Sequence, residues 1–68
     1  MTGPQHPAVV SALHARPARQ REAVILRYYA DLSEAQIAAA MGISRRAVKS
    51  HIAQAMTALR VVIDRAED

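Results

Sequence analysis

Sixty-eight residues without a cysteine make one small domain at most, with no disulfide or thiolate-metal staple to hold it. No apolar run approaches the ~20 residues of a membrane-crossing helix, and the opening MTGPQHPAVV lacks the segments of a secretory leader, so a cytoplasmic protein is expected. The formal charge is +3, but from Arg16 to Arg60 eight basic residues stand against three acidic ones, a net of +5, which favours a polyanionic partner such as nucleic acid. Plentiful alanine, only two glycines and two aromatics, Tyr28 and Tyr29, make the composition that of a helical protein.

In chain order, residues 1–7 read as a loose lead-in, and Pro7 opens a short helix to about His14 with Val9, Val10 and Leu13 as its apolar side. Pro17 marks a second start, because proline suits the first helical position and breaks the helix before it. From Ala18 to Ala30, Val24, Ile25 and Tyr28 recur at helical spacing and predict the buried face, with at least one tyrosine in the core and Arg19, Glu22 and Arg27 facing water.

Ser33 followed three residues later by Gln36 is a capping box, and Leu32 is placed to staple onto Ile37. That third helix must be brief, since Gly42 sits where a left-handed C-cap is wanted. Ser44 caps a last helix predicted from Arg45 to about Ile63. Val48, Ile52, Ala55, Met56, Leu59 and Ile63 form its apolar stripe; Arg46, Lys49, Ser50, Ala53, Gln54 and Thr57 lie opposite. Leu59, Val62 and Ile63 outrun the short helices available to cover them, and residues 64–68, with Asp64, Glu67 and Asp68 at a helix C-terminus, should fray.

Two helices joined by a tight turn containing glycine, the second with a basic outer face, make a helix-turn-helix, here residues 33–54 of a domain spanning 8–63. The expected fold is all-α: a compact bundle of three to four helices, winged-helix-like but without a wing. Ala38 allows a close crossing, and Ile37, Met41, Ile43 and Val48 lock the angle, freeing the polar face of the last helix for a major groove. Arg45, Arg46 and Lys49 near its start oppose the helix dipole by about 0.3–1 kcal/mol each, a cost that points to function. A glutamine such as Gln54 can pair bidentately with adenine.

Catalysis is not expected: Ser50 and His51 point about 100° apart with no third orienting group, and His6, His14 and His51 have no metal-ligand spacing, so no cofactor is called for.

The stretch PARQREAVILRYYADLSEAQIAAAMGISRRAVKSHIAQAMTALR resembles region four, the C-terminal domain of bacterial RNA polymerase sigma factors, especially the extracytoplasmic-function group. Pro17, Arg21, the LRYY of Leu26 to Tyr29, LSEAQIA, MGIS, AVKS and Leu59-Arg60 carry the match over about residues 16–60. The resemblance implies recognition of the −35 element of double-stranded promoter DNA and docking on the flap of the polymerase β subunit, with an anti-sigma factor as a further partner. It implies base and backbone contacts by Arg45, Arg46, Lys49, Ser50, Ala53 and Gln54. Phosphate contacts fall to Arg21, Ser33, Glu34 (through its backbone N–H), Gln36 and His51. Arg16 stands where the family usually has leucine, and His51 where it usually has arginine. The chain is then a fragment of a larger factor or a stand-alone regulator, monomeric in isolation.

Two other readings stay open. A LuxR-type response-regulator output domain shares Val48-Lys49 with His51 and a leucine eight residues on, Leu59, and would dimerise through its last helix. A helical protein-interaction module would use an apolar groove and leave the basic face incidental.

Overall fold

The computed structural model describes residues 7–66. Four helices follow in order: α1 (Pro7–His14), α2 (Ala18–Tyr28), α3 (Glu34–Met41) and α4 (Arg45–Ala66). No strand occurs among the described residues, so the all-α reading without a wing holds. Residues 1–6 of the expected lead-in, His6 among them, and Glu67 and Asp68 of the expected tail lie outside the described residues.

Each boundary has a local cause. Pro17 occupies the N-cap position, one residue before the first residue of α2, and its carbonyl accepts from the Arg21 N–H at 3.0 Å. α2 ends at Tyr28, two residues earlier than the sequence pattern suggests, and Asp31 takes φ 58 in the loop that follows. Asp tolerates that left-handed geometry better than most residues. The Ser33–Gln36 capping box forms as expected, with the Ser33 N–H donating to Gln36 Oε1 at 2.8 Å and the Gln36 N–H donating to Ser33 Oγ at 3.1 Å. Gly42 closes α3 at φ 69, and the Gly42 and Ile43 amides both donate to the Ala38 carbonyl. This is Schellman-type closure, with Ile43 packed on the cluster that contains Ala38. Ser44 Oγ then accepts from the Ala47 N–H at 3.1 Å and starts α4.

α4 packs against each of the other three helices, and α2 also packs on α3. Two apolar clusters result. Ala23, Ile37, Ala38, Met41 and Val48 form the first, with Leu26, Leu32, Ile43 and Ile52 around it, and lock α3 to α4. Leu13, Val24, Ala55 and Leu59 form the second, with Ala12, Met56 and Ile63, and hold α1 and α2 on the far half of α4.

The structure corrects three expectations. First, α2 turns Gln20, Ala23 and Val24 inward, while Ile25, Tyr28 and Tyr29 are exposed. Small side chains let α2 approach its neighbours closely, where a tyrosine ring would hold them apart; the Tyr28 ring instead lies under the Arg27 guanidinium, 5.9 Å from its centroid. Second, Leu59 is buried because α1 covers it through Leu13, and Ile63 packs on the same cluster; the exposed apolar residue at that end is Val61. Third, α4 continues through Asp64 and Arg65 to Ala66 instead of stopping at Ile63.

A Cβ built on Gly42 would meet nothing within 4 Å, so only the backbone resists substitution there. Gly42→Ala is expected to lower stability by about 1 kcal/mol in urea unfolding, and Gly42→Asn by less, because asparagine enters the left-handed region more readily.

Candidate nucleic-acid interface

The first three turns of α4 carry every residue expected to read bases. Arg45, Arg46, Lys49, Ser50, Ala53 and Gln54 are all exposed. At about 100° per residue they span roughly half the helix circumference, opposite Val48, Ile52 and Ala55. Among the described residues, no side-chain hydrogen bond or ion pair engages Arg45, Arg46 or Lys49. Between Arg45 and Ile63 the sequence contains no carboxylate, so no acidic side chain of α4 lies near these three cations. The tight α3–α4 turn projects this face past α3, and the first-turn amides of α4 add positive potential beside it.

Gln54 differs from the expectation. Its Oε1 accepts from Gln20 Nε2 at 2.9 Å, and its Nε2 donates to Ser50 Oγ at 3.4 Å. The free bidentate amide foreseen for adenine is therefore already tied to α2. Ala53 presents only a methyl at the centre of the face, suited to the 5-methyl of thymine.

The second group, expected to hold phosphates, is divided. Ser33 and Gln36 share the capping box at the start of α3, which leaves the Ser33 hydroxyl proton and Gln36 Nε2 for a ligand. Glu34 is half-buried, with its amide at the first helical position, one of those an α-helix leaves without an intrahelical acceptor. His51 is half-buried on α4. Arg21 stands apart from this group: its Nη1 donates to the carbonyls of His14 at 3.1 Å and Arg16 at 3.4 Å, tying α2 to the end of α1.

Two residues escaped the sequence reading. Arg19 remains exposed but crosses to the turn: Nη2 donates to the Met41 carbonyl at 2.6 Å while Nη1 pairs with Glu22 at 2.8 Å. It clamps α2 onto the C-terminus of α3 and so helps set the height at which α4 begins. Gln20, a polar residue on the buried face of α2, gave no signal in the hydrophobic pattern because that pattern places glutamine outside.

The family model described as Sigma-70, region 4 matches residues 8–59. The chain belongs to the sigma-70 region 4 family. The match runs from Ala8 in the first turn of α1 through α2, α3 and the helix-turn-helix to Leu59, and it sets aside the LuxR-type reading. Region 4 is a DNA-binding domain that acts in transcription initiation, in accord with the unpartnered basic face. No curated protein and no solved structure matches the chain. Among the described residues, no helix is long and apolar enough to cross a membrane, and no three His, Cys, Asp or Glu side chains are grouped so as to hold a metal.

The Arg21 geometry separates two roles. Arg21→Ala is expected to lower stability by about 0.5–1 kcal/mol in thermal unfolding, through the lost contacts to the carbonyls of His14, at the end of α1, and Arg16. The salt dependence of DNA binding should not change in that variant.

Proposed function

We propose that this region 4 domain, in a sigma factor of the extracytoplasmic-function type, recognises the −35 element of a promoter by laying the Ser44–Gln54 segment in the major groove. The observation that carries the reading is the partnerless cationic face of Arg45, Arg46 and Lys49 at the start of α4, held clear of the core by the Gly42 turn. Those cations oppose the dipole of their own helix, so they stabilise a complex at the expense of the free fold.

The contacts sort by chemistry. Arg45, Arg46 and Lys49 reach phosphates and guanine edges, while Ser50, Ala53 and Gln54 face base edges. The Ser33 hydroxyl, the Glu34 amide and Gln36 Nε2 at the start of α3 hold a phosphate on the flank, aided by the α3 dipole, and His51 faces the other strand's backbone.

A second surface suits the polymerase. Ala18, Arg21, Glu22, Ile25 and Leu26 line a shallow groove of about 330 Å³ on the outer side of α2, and Tyr28 and Tyr29 extend the exposed apolar area beyond it. We assign docking of the β-subunit flap to this groove instead of to the far end of α4, where Leu59 is buried. An anti-sigma factor competing with polymerase would cover the same face. The isolated domain acts as a monomer whose promoter affinity is raised by tethering to polymerase, which supplies effective concentration that one helix in a groove lacks.

Two measurements test this. In fluorescence anisotropy, −35-like duplexes should outcompete a randomised pool, and Lys49→Ala should lower the slope of log K against log salt by about 0.9, the counterions of one phosphate contact. Sequence-independent binding would refute groove reading. For the second surface, Ile25→Asp should weaken binding to the isolated β flap at least tenfold while leaving affinity for duplex DNA unchanged; unchanged flap binding would refute the assignment.

A further inference from the structure

Gln20 is a buried polar side chain, 9% exposed, that DNA recognition as described above does not use. It lies one turn before Ala23 and Val24 on α2 and joins a chain of hydrogen bonds ending on the reading face. Arg16 Nε donates to Gln20 Oε1 at 3.1 Å, Gln20 Nε2 donates to Gln54 Oε1 at 2.9 Å, and Gln54 Nε2 donates to Ser50 Oγ at 3.4 Å.

The direction of this chain follows from its first member. Arginine has only N–H donors, so the Gln20 atom that meets Arg16 Nε must be the carbonyl oxygen. Gln20 then has only its amide nitrogen to offer Gln54, and that nitrogen must meet an oxygen. The Gln54 carbonyl is thereby directed toward the buried group on α2, and its nitrogen toward Ser50 and the exposed side. With Ser50 Oγ accepting from Gln54, the serine proton is left to donate outward.

We propose that Gln20, oriented by Arg16, is a positioning residue that sets the Ser50–Gln54 pair as hydrogen-bond donors in the groove, selecting the N7 and O6 acceptors of guanine over adenine. A freely turning glutamine pairs with adenine by accepting from N6 and donating to N7. Here the accepting atom faces inward, and the neighbouring Arg45, Arg46 and Lys49 contribute donors alone. The inference rests on the reading of α4 as the helix in the major groove.

The test uses the 68-residue chain in competition anisotropy against duplexes varied one position at a time. The position read by Gln54 is the one whose preference disappears in Gln54→Ala. There the unaltered protein should favour guanine over adenine by about fivefold or more, the lower end of one bidentate pair's discrimination. Gln20→Glu still accepts from Arg16 but cannot donate, so Gln54 turns its nitrogen inward and its oxygen outward. The preference should then invert toward adenine. Arg16→Leu, which frees Gln20 to turn over, should bring the ratio to near one. Neither variant should alter the salt slope, and circular dichroism melts establish that each is folded.

A purely structural Gln20 would weaken binding to all duplexes alike; an unchanged guanine-to-adenine ratio in folded variants overturns the proposal. So does an adenine preference in the unaltered protein, or a Gln54→Ala variant that loses preference nowhere. If Gln20→Glu does not fold, Arg16→Leu decides, because Arg16 lies between helices and is only half-buried. Absence of preference at every position in the unaltered protein would overturn the groove reading itself.

Discussion

Two side chains of α4, Val48 and Ala55, have no solvent exposure, and the rest of the structure depends on what they touch. Val48 belongs to the cluster that fixes α3 against α4, and Ala55, about two turns on, to the cluster that fixes α1 and α2. The helix proposed to read DNA is thus also the spine of the bundle. In a domain this small neither cluster is large, and α4 gains order from both. A helix that enters a groove must keep its orientation while one whole face leaves protein contact, and a spine buried along its opposite face meets that requirement.

The start of α4 shows how the remaining forces are balanced. Three cations within five residues oppose the helix dipole, yet Ser44 caps the first turn and Gly42 closes the preceding helix without strain. Arg19 adds a cross-chain clamp by donating to the Met41 carbonyl, immediately before that glycine. Local capping, a left-handed turn and one long-range arginine together fix the geometry that charge repulsion works against. Phosphates at the proposed DNA interface would relieve that repulsion.

Gln20 gives the buried side of this arrangement a polar component. α2 and α4 also meet through the Gln20–Gln54 amide contact, and no described buried side-chain nitrogen or oxygen lacks a partner. Hydrogen bonds have direction where apolar packing does not. This contact can therefore fix the rotation of α4 and the sense of an exposed amide together, something a leucine in the same place could not do. The outer face of α2 leaves Ile25 exposed, so the surface proposed for a protein partner lies on α2 and the one proposed for DNA on α4.

Much of this was legible in the amino-acid order because its causes are local. The Ser33–Gln36 box, the Gly42 turn, the Ser44 cap and the stripe from Val48 to Ile63 depend on neighbours three or four residues away. They placed α3, α4 and the basic face without reference to the rest of the chain. The orientation of α2 was not legible: Val24, Ile25 and Tyr28 look like a buried face, yet Ala23, Val24 and Gln20 are the ones turned inward. The fate of Leu59 depended on where α1 would lie, the role of Arg21 on carbonyls of the α1–α2 connection, and the roles of Arg19 and Gln54 on a carbonyl and an amide far away in the chain. Hydrophobic period and capping are properties of one helix and determined which helices form and which face of α4 is polar. The close approach of α2 to α4, and the partners found by long side chains, are properties of helices already packed, so only the tertiary structure decided them.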